Sequence, residues 1–194
     1  MERRQVLKTA GILATGGVTS LAGCSSGNGD GSGEPTTTET EETTGGSGGE
    51  TAGGAGGSNT VMMVTEGSEY YFDPIGLFVE SGETVTFEIQ SGSHSATAYK
   101  QGTSSAEVTR IPDGAEAFNS EVLSEQGATY EHTFETTGTY DYFCIPHKSL
   151  GMVGRIVVGE PGGPAEGSMP PDGDVPESQT IVDQGSVSYS SFSG

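Results

Sequence analysis

Three side chains that bind soft metal ions share one short stretch of the chain: Cys144, His147 and Met152. A thiolate, an imidazole and a thioether together favour copper over calcium, magnesium or manganese, which prefer oxygen ligands. One further nitrogen would complete a mononuclear copper site of the kind that passes single electrons, and His94 lies fifty residues before the cysteine. The alternative interpretation is a free core cysteine beside an unrelated histidine and methionine. The spacing Cys-x-x-His-x-x-x-x-Met on a single loop favours the metal site.

The segment from Cys144 to Gly154 reads Cys-Ile-Pro-His-Lys-Ser-Leu-Gly-Met-Val-Gly. It resembles the metal loop of plastocyanins and related small blue (type 1) copper proteins, the cupredoxins, which carry Cys-x-Pro-His-x-x-x-Gly-Met-x-Gly. The resemblance covers roughly residues 60–160, and the acidic, lipoprotein-like context is similar to that of halocyanins. It implies that electrons leave through a histidine at the solvent edge, His147. It also implies one copper ion held by His94, Cys144, His147 and, as the weak axial ligand, Met152.

Two further positions bear on this ligand set. Ser95 directly follows His94, where the family that the loop resembles often carries an asparagine that bridges the two ligand loops. A serine at this position can make a shorter hydrogen bond. His132 is the competing imidazole, but it lies between Tyr130 and Phe134 in an alternating segment. We therefore interpret His132 as a hydrogen-bonded core histidine.

Short strands must position the ligands, because alternating apolar residues separated by Gly, Pro and Ser turns dominate residues 60–160. Residues 84–90 alternate most clearly and predict three apolar side chains facing inward. The other predicted strands span residues 60–64, 70–72, 77–79, 94–99, 129–135, 139–143 and 153–158. About seven to eight such strands predict an all-β sandwich, and the resemblance implies the Greek-key cupredoxin fold. Residues 115–123 are predicted to hold a helical turn that buries Phe118 and Val122.

The N-terminal part predicts export and anchoring rather than a folded domain. Residues 1–23 resemble a signal peptide in which Arg3 and Arg4 are similar to a twin-arginine signal, and the general export route stays open. Leu21-Ala22-Gly23-Cys24 resembles a lipoprotein cleavage site, which implies that Cys24 carries the lipid. Residues 24–59 are mostly Gly, Ser, Thr and Glu, and predict a disordered linker that spans roughly 30–35 Å.

The C-terminal residues 161–194 return to a composition rich in Gly, Pro and Ser. We predict a mostly disordered tail with one short helix over residues 176–184, which ends at Gly185.

The whole chain has 27 acidic and 7 basic residues and a formal net charge of −20. This charge argues against binding to nucleic acid, which is itself a polyanion, and is typical of proteins from halophiles.

These features favour an electron carrier over an enzyme. Four protein ligands leave no open position for a substrate, and no nucleophile–base pair is visible in the sequence. One alternative is a protein that binds and delivers copper, for which Met62 and Met63 are a weak hint. Another is a fragment of a copper enzyme, for which three histidines are too few.

We expect a monomer, attached by lipid to the outer side of the cell membrane. Its expected partners are membrane redox proteins that donate and accept electrons.

Overall fold

The computed structural model describes residues 59–193, which form two packed β-sheets and three short helices. The strands are β1 (Thr60–Glu66), β2 (Glu69–Asp73), β3 (Gly76–Val79), β4 (Glu83–Ile89), β5 (Thr97–Ala98), β6 (Thr129–Phe134), β7 (Gly138–Phe143), β8 (Val153–Val158) and β9 (Ser186–Val187). The helices are a 3-10 turn (Lys148–Leu150), α1 (Ser178–Gln184) and α2 (Tyr189–Phe192). None of the helices in residues 59–193 has the length and hydropathy of a membrane span. The predicted signal peptide, Cys24 and nearly all of the predicted linker lie outside the described residues.

The strand order is that of a Greek-key sandwich with mixed sheets. One sheet runs β2-β1-β4-β6 and the other runs β5-β7-β8-β3-β9. The pairs β1/β4 and β3/β8 are parallel, so crossover connections join them, while the other neighbours are antiparallel. Strands β1 to β8 fall within the predicted domain of residues 60–160. The predicted all-β sandwich of about seven to eight strands is therefore confirmed, and β9 comes from the C-terminal part of the chain.

The core lies between the sheets and is built largely from alternate strand residues. Val85, Phe87 and Ile89 of β4 are buried, while the residues between them are partly exposed, as a period of two predicts. Strands β7 and β8 depart from this alternation, because all six residues of each are buried. A strand buried on both faces needs a second covering layer.

Residues 160–193, called the C-terminal segment below, provide much of that layer, together with Tyr99 and Ala106, so the prediction of a mostly disordered tail is wrong. Helix α1 lies within the predicted range and ends before Gly185, as predicted. Strand β9 pairs antiparallel with β3 and extends the second sheet. Val175, Ile181 and Val187 are buried against the sandwich. A few well-placed apolar side chains thus dock a segment whose average composition suggests disorder.

Two features of the second sheet, on β3 and β7, hold the C-terminal segment, although both lie far from it in sequence. A Cβ at Gly76 of β3 would lie 2.7 Å from Cγ1 of Ile181, so the glycine leaves the space that the isoleucine fills. Buried Asp141 of β7 accepts hydrogen bonds from the Nε atoms of Arg110 and Arg155, both at 2.7 Å. The two guanidinium groups also donate to carbonyls and hydroxyls of the segment, namely those of Ala165, Ser168, Pro176 and Ser178. Because buried charges need such partners, the segment is part of the fold.

Residues 115–123 are irregular and contain no helix, with Glu121 in the left-handed region (φ 56°), so the predicted helical turn is also wrong. Phe118 is buried as predicted, but Val122 is 50% exposed. The reason is a backbone pairing that the sequence pattern does not reveal: Leu123 and His94 exchange two hydrogen bonds across an isolated bridge. This part of the chain therefore lies alongside the segment that carries the predicted ligand His94.

Candidate metal centre

The metal loop, residues 144–152, carries three of the predicted ligands. Strand β7 delivers Cys144 into the core. A tight turn follows, in which the His147 N–H donates to the Cys144 carbonyl (3.2 Å) and the Cys144 N–H donates to the Met152 carbonyl (3.0 Å). Gly151 allows this return because its φ of 87° lies in the left-handed region. The loop therefore places the backbones of the first and last predicted ligands side by side.

His94 reaches the same place from a segment fifty residues earlier. Its Nε2 lies 2.9 Å from the Ser91 carbonyl and 3.0 Å from the Thr65 hydroxyl. This nitrogen therefore donates to neighbouring oxygens, and Nδ1 faces Cys144. Gly92 makes the packing possible: its φ is 85°, and a Cβ there would overlap the Thr65 hydroxyl and the His94 ring.

Three donor atoms converge in the interior. The Cys144 Sγ lies 3.6 Å from the His94 Nδ1 and 3.4 Å from the His147 Nδ1, and the two nitrogens are 3.2 Å apart. Bonds from a first-row metal to nitrogen or thiolate sulfur are about 2.0–2.3 Å long, so one ion fits among these atoms. Met152 is fully buried in the same core cluster as Cys144. The structure thus brings the three strong ligands together, and the axial role of Met152 stays a prediction.

The two histidines are already in the protonation state that metal binding requires, whereas the Cys144 thiol must first lose its proton. Burial, with a smaller contribution from the neighbouring His147, lowers the pKa of His94 to about 4, so its imidazole is neutral at neutral pH. Burial likewise lowers the pKa of His147. Burial raises the pKa of the Cys144 thiol, and hydrogen bonds from neighbouring groups offset this only in part. The metal-free thiol therefore keeps its proton at neutral pH, and metal binding must release it.

Ser95 joins the two ligand segments. Its hydroxyl accepts a hydrogen bond from the Ile145 N–H (2.8 Å), and its own N–H points at the Cys144 sulfur (3.4 Å). The same hydroxyl lies 3.0 Å from that of Thr97, which donates to the Asn119 side chain (2.9 Å). A short hydrogen bond from serine therefore makes the bridge between the loops, and the chain Ser95–Thr97–Asn119 holds the serine in place.

His132 lies outside the ligand cluster, as predicted, but within the described residues its ring makes no hydrogen bond, so the prediction of a hydrogen-bonded core histidine is wrong. Its ring is half-buried between aromatic side chains, and its centroid lies 4.8 Å from the ring centroids of both Phe118 and Phe134.

Tyr70 of β2 is a site residue that sequence reasoning missed. Its ring stacks on His147 with a centroid distance of 3.9 Å and an interplanar angle of 15°. No local pattern identifies this contact, because the two residues are far apart in sequence.

The two sides of Cys144 differ in their access to solvent. On one side His147 is partly exposed and the neighbouring Leu150 is 61% exposed. On the other side Phe143 is fully buried beneath Tyr99, whose ring centroid lies 4.7 Å away, and beside Val175 of the C-terminal segment. Within the described residues, the site thus meets solvent at its His147 edge.

Comparison with known proteins agrees with this geometry. Residues 59–159 match the family described as copper binding proteins, plastocyanin/azurin family. The chain is 31% identical to a plastocyanin of Scenedesmus fuscus over 102 residues, which are 51% of this chain and 97% of that one. It is 33% identical to a halocyanin of Natronomonas pharaonis over 91 residues, 46% of this chain and 48% of that one.

Among solved structures, a mutant plastocyanin of fern is similar at 26% identity and a TM-score of 0.40, covering 51% of this chain and 98% of that one. The family match and the His–Cys–His donor group agree on a single copper ion as the cofactor. This chain belongs to the plastocyanin/azurin family of copper-binding, electron-transferring proteins.

Proposed function

We propose that this protein is a membrane-anchored carrier that shuttles single electrons between redox partners at the outer face of the cytoplasmic membrane. The observation that supports the carrier role is the convergence of the His94, Cys144 and His147 donor atoms, all within 4.8 Å of one another. Copper bound there supplies a one-electron couple between Cu(I) and Cu(II). The proposal involves no reaction on a substrate.

The residues around the site keep its geometry constant while the charge changes. His94 is fully buried and hydrogen-bonded through Nε2, and Cys144 is fully buried at the end of a sheet strand. The Ser95 hydroxyl joins the two segments that carry them. Because little has to move when an electron arrives or leaves, the barrier to transfer stays low.

Replacing the thiolate tests the carrier role. Cys144→Ser should lose the strong visible absorption of the copper-loaded protein and its reversible bleaching by a reductant, because the sulfur ligand is gone. Met152→Leu is the matched control, because it replaces the thioether with an apolar side chain of similar size and keeps the thiolate. If Cys144→Ser keeps the coloured, reducible form, the assignment of the ligand is wrong.

Copper delivery is the alternative function. Whether the protein retains its copper distinguishes a delivery protein from an electron carrier. Met63 is fully buried in the core and Met62 is half-buried, so the pair forms no exposed thioether site. A carrier should keep its copper through many rounds of reduction and oxidation in the presence of an apo-protein that accepts copper. Loss of the ion to the acceptor within the first rounds would instead support delivery.

The docking surface of the carrier is proposed to be the uncharged rim of the metal loop. Leu150 is the most exposed large apolar residue there, and Ile145, Pro146 and Gly151 complete the rim. Charge is a poor guide to a partner if the protein works in molar salt, because the Debye length at 1 M is about 3 Å. Apolar contact around His147 is then the attraction that remains.

Leu150→Glu tests this surface. It should slow reduction by a membrane extract about tenfold, the size expected for one apolar anchor of an interface, and leave the copper absorption unchanged. The matched control is Glu131→Gln with Glu135→Gln, which removes two exposed charges, one on β6 and one directly after it, and should change the rate little in molar salt. A steep decrease in rate with added salt, combined with a normal Leu150→Glu rate, would show that charge directs docking.

The membrane anchor is proposed from Cys24 and the preceding Leu-Ala-Gly. Cys24→Ala should release a copper-loaded protein into the medium, because no lipid can be attached. Arg3→Lys with Arg4→Lys should block export if the twin-arginine route is used and should have little effect on the general route. Retention of the Cys24→Ala protein in the membrane fraction would contradict the lipid anchor.

A further inference from the structure

The C-terminal segment contacts the metal loop directly, although it lies beyond the family match, which ends at residue 159. The Asp172 carboxylate accepts a hydrogen bond from the Tyr99 hydroxyl (2.7 Å) and lies 3.6 Å from the Lys148 ammonium. The Lys148 and Asp172 side chains are only 16% and 22% exposed, so this ion pair is sheltered from water. Lys148 directly follows His147, and the pair therefore connects the segment to a ligand.

Backbone packing reinforces this connection. At Gly173 a Cβ would lie 3.0 Å from the Gly151 carbonyl oxygen and 2.9 Å from Cγ2 of Val153. The absence of a side chain at Gly173 thus allows the segment to lie close against the last turn of the metal loop. Two residues further on, Val175 is fully buried in a cluster with Phe143, the residue before Cys144. Residues 172–175 therefore lie against the metal loop at its middle, at its end and beside the residue that precedes it.

The segment can act as a support because it is itself fixed on both sides of this contact. Before residue 172, Arg110 donates to the carbonyls of Ala165 and Ser168. After residue 175, Arg155 donates to the carbonyl of Pro176 (3.3 Å). Both arginines are held by Asp141, which lies on β7 three residues before Cys144.

We propose that the C-terminal segment is a brace for the metal loop, in which Asp172 and Lys148 are positioning residues. By holding the backbone of residues 148–151, the brace keeps His147 and Met152 in place and slows the release of copper. The proposal goes beyond the electron-carrier function, because it concerns the loop and the retention of the ion whether or not electrons are shuttled.

Asp172→Asn in the full-length protein tests the brace. The amide oxygen can still accept the Tyr99 hydrogen bond, but the charge that attracts Lys148 is lost. We expect copper(I) to pass to an excess of a coloured chelator about fivefold faster, the size expected for one sheltered ion pair. Asp174→Asn is the matched control: it removes the same charge from an exposed residue two positions away and should release copper at the normal rate.

Amide hydrogen exchange of the metal-free protein gives a second readout that does not involve copper. The Leu150 and Gly151 amides donate within the loop, to the carbonyls of His147 and Lys148, so they report its opening. Asp172→Asn should speed their exchange about fivefold and leave the amides of β4 unchanged. Equal acceleration of the β4 amides would show that the segment stabilises the whole domain and does not act on the loop, and would overturn the proposal.

Lys148→Gln and the double variant complete the test. Lys148→Gln also removes the hydrogen bond that the Lys148 Nζ donates to the Ser105 carbonyl (2.7 Å), so we expect it to have the larger effect of the two. If Asp172 acts through Lys148, the double variant should release copper no faster than Lys148→Gln alone, because the contact with Asp172 is already broken there. If the rate increases of the two single variants instead multiplied in the double variant, the two residues would act independently, and the assignment of the pair would be contradicted. If Asp172→Asn fails to fold, Lys148→Gln tests the same contact from the loop side, and a normal release rate for it would also overturn the proposal.

Discussion

The two ligand segments, the one that carries His94 and the metal loop that carries His147, are held in opposite ways. His94 is fully buried, and its ring is fixed by Ser91 and Thr65, which are also hydrogen-bonded to each other. His147 is partly exposed, and its ring rests on Tyr70 from another strand. One segment is immobilised by the core, whereas the other is supported from outside by groups that come from distant parts of the chain.

This difference explains how one small site can be both rigid and accessible. The buried segment holds one nitrogen and, through Ser95, the backbone beside the thiolate. The exposed segment presents the edge at which a partner can approach, and its supports replace the rigidity that burial would otherwise provide. Variants that affect only one of the two segments can therefore test the comparison.

The largest expected effect separates the two histidines by access. His147→Gly leaves a hole that opens towards solvent, so added imidazole should enter it and restore the copper absorption. His94→Gly leaves a hole enclosed by the core, and imidazole should not restore the absorption. The measurement is a visible titration of each copper-loaded variant with imidazole, and equal recovery of both would contradict the difference in access.

Two glycines with nearly the same backbone conformation test the packing around each segment. Gly92 and Gly151 have φ values of 85° and 87°, but a Cβ at Gly92 would overlap the Thr65 hydroxyl and the His94 ring, whereas at Gly151 the nearest atom is 3.8 Å away. Gly151→Ala should lower the free energy of unfolding by about 1–2 kcal/mol through backbone strain alone. Gly92→Ala should lower it by roughly 3–5 kcal/mol, because overpacking adds to the strain. Chemical denaturation of both metal-free variants measures the difference.

A pH series should show the burial of His94 in the metal-free protein. Its pKa is lowered from 6.5 to about 4, so the unfolded chain binds the proton more readily than the folded one between these values. The stability that neutral His94 contributes is therefore present above pH 6.5 and is lost as the pH falls towards 4, by roughly 3 kcal/mol. His94→Gln should remove most of this dependence and His147→Gln less of it. An unchanged pH profile for His94→Gln would contradict the assignment.

The smallest expected effect concerns the stacked ring of Tyr70. Tyr70→Phe keeps the stacking on His147 and should be nearly neutral, whereas Tyr70→Ala should lower the unfolding free energy of the metal-free protein by about 1 kcal/mol beyond the loss of buried area. Tyr71→Ala is a useful control, because that ring stacks on Tyr189 rather than on a ligand. The NMR signals of the His147 ring should shift in Tyr70→Ala alone, and a shift in the control would show an indirect effect.

Local sequence patterns predicted most of the sandwich and the ligand loop. The alternation of β4 is preserved in the structure, because burial of every second residue is a property of the strand itself. The ligands Cys144 and His147 were predictable because they share one loop and a recognisable spacing. His94 required the resemblance, because nothing within its own segment distinguishes a ligand from a surface histidine.

The contacts that could not be predicted join parts of the chain that are distant in sequence. Tyr70 reaches His147 only because the two sheets bring β2 beside the metal loop. The C-terminal segment has a composition typical of disorder, yet it docks because Gly76 leaves space for Ile181 and because Asp141 holds two arginines that need further acceptors. Average composition carries no information about such complementary surfaces.

The buried cluster of Asp141, Arg110 and Arg155 has a consequence for the biogenesis of the protein. The three residues are synthesised before Ala165, Ser168 and Pro176, whose carbonyls accept the remaining hydrogens of the guanidinium groups. A nascent chain that still lacks these carbonyls cannot bury the arginines, so we expect maturation to wait until residues 165–176 have left the ribosome. Chains stalled before residue 165 should accordingly be cleaved by added protease as quickly as an unfolded polypeptide, whereas released chains resist it.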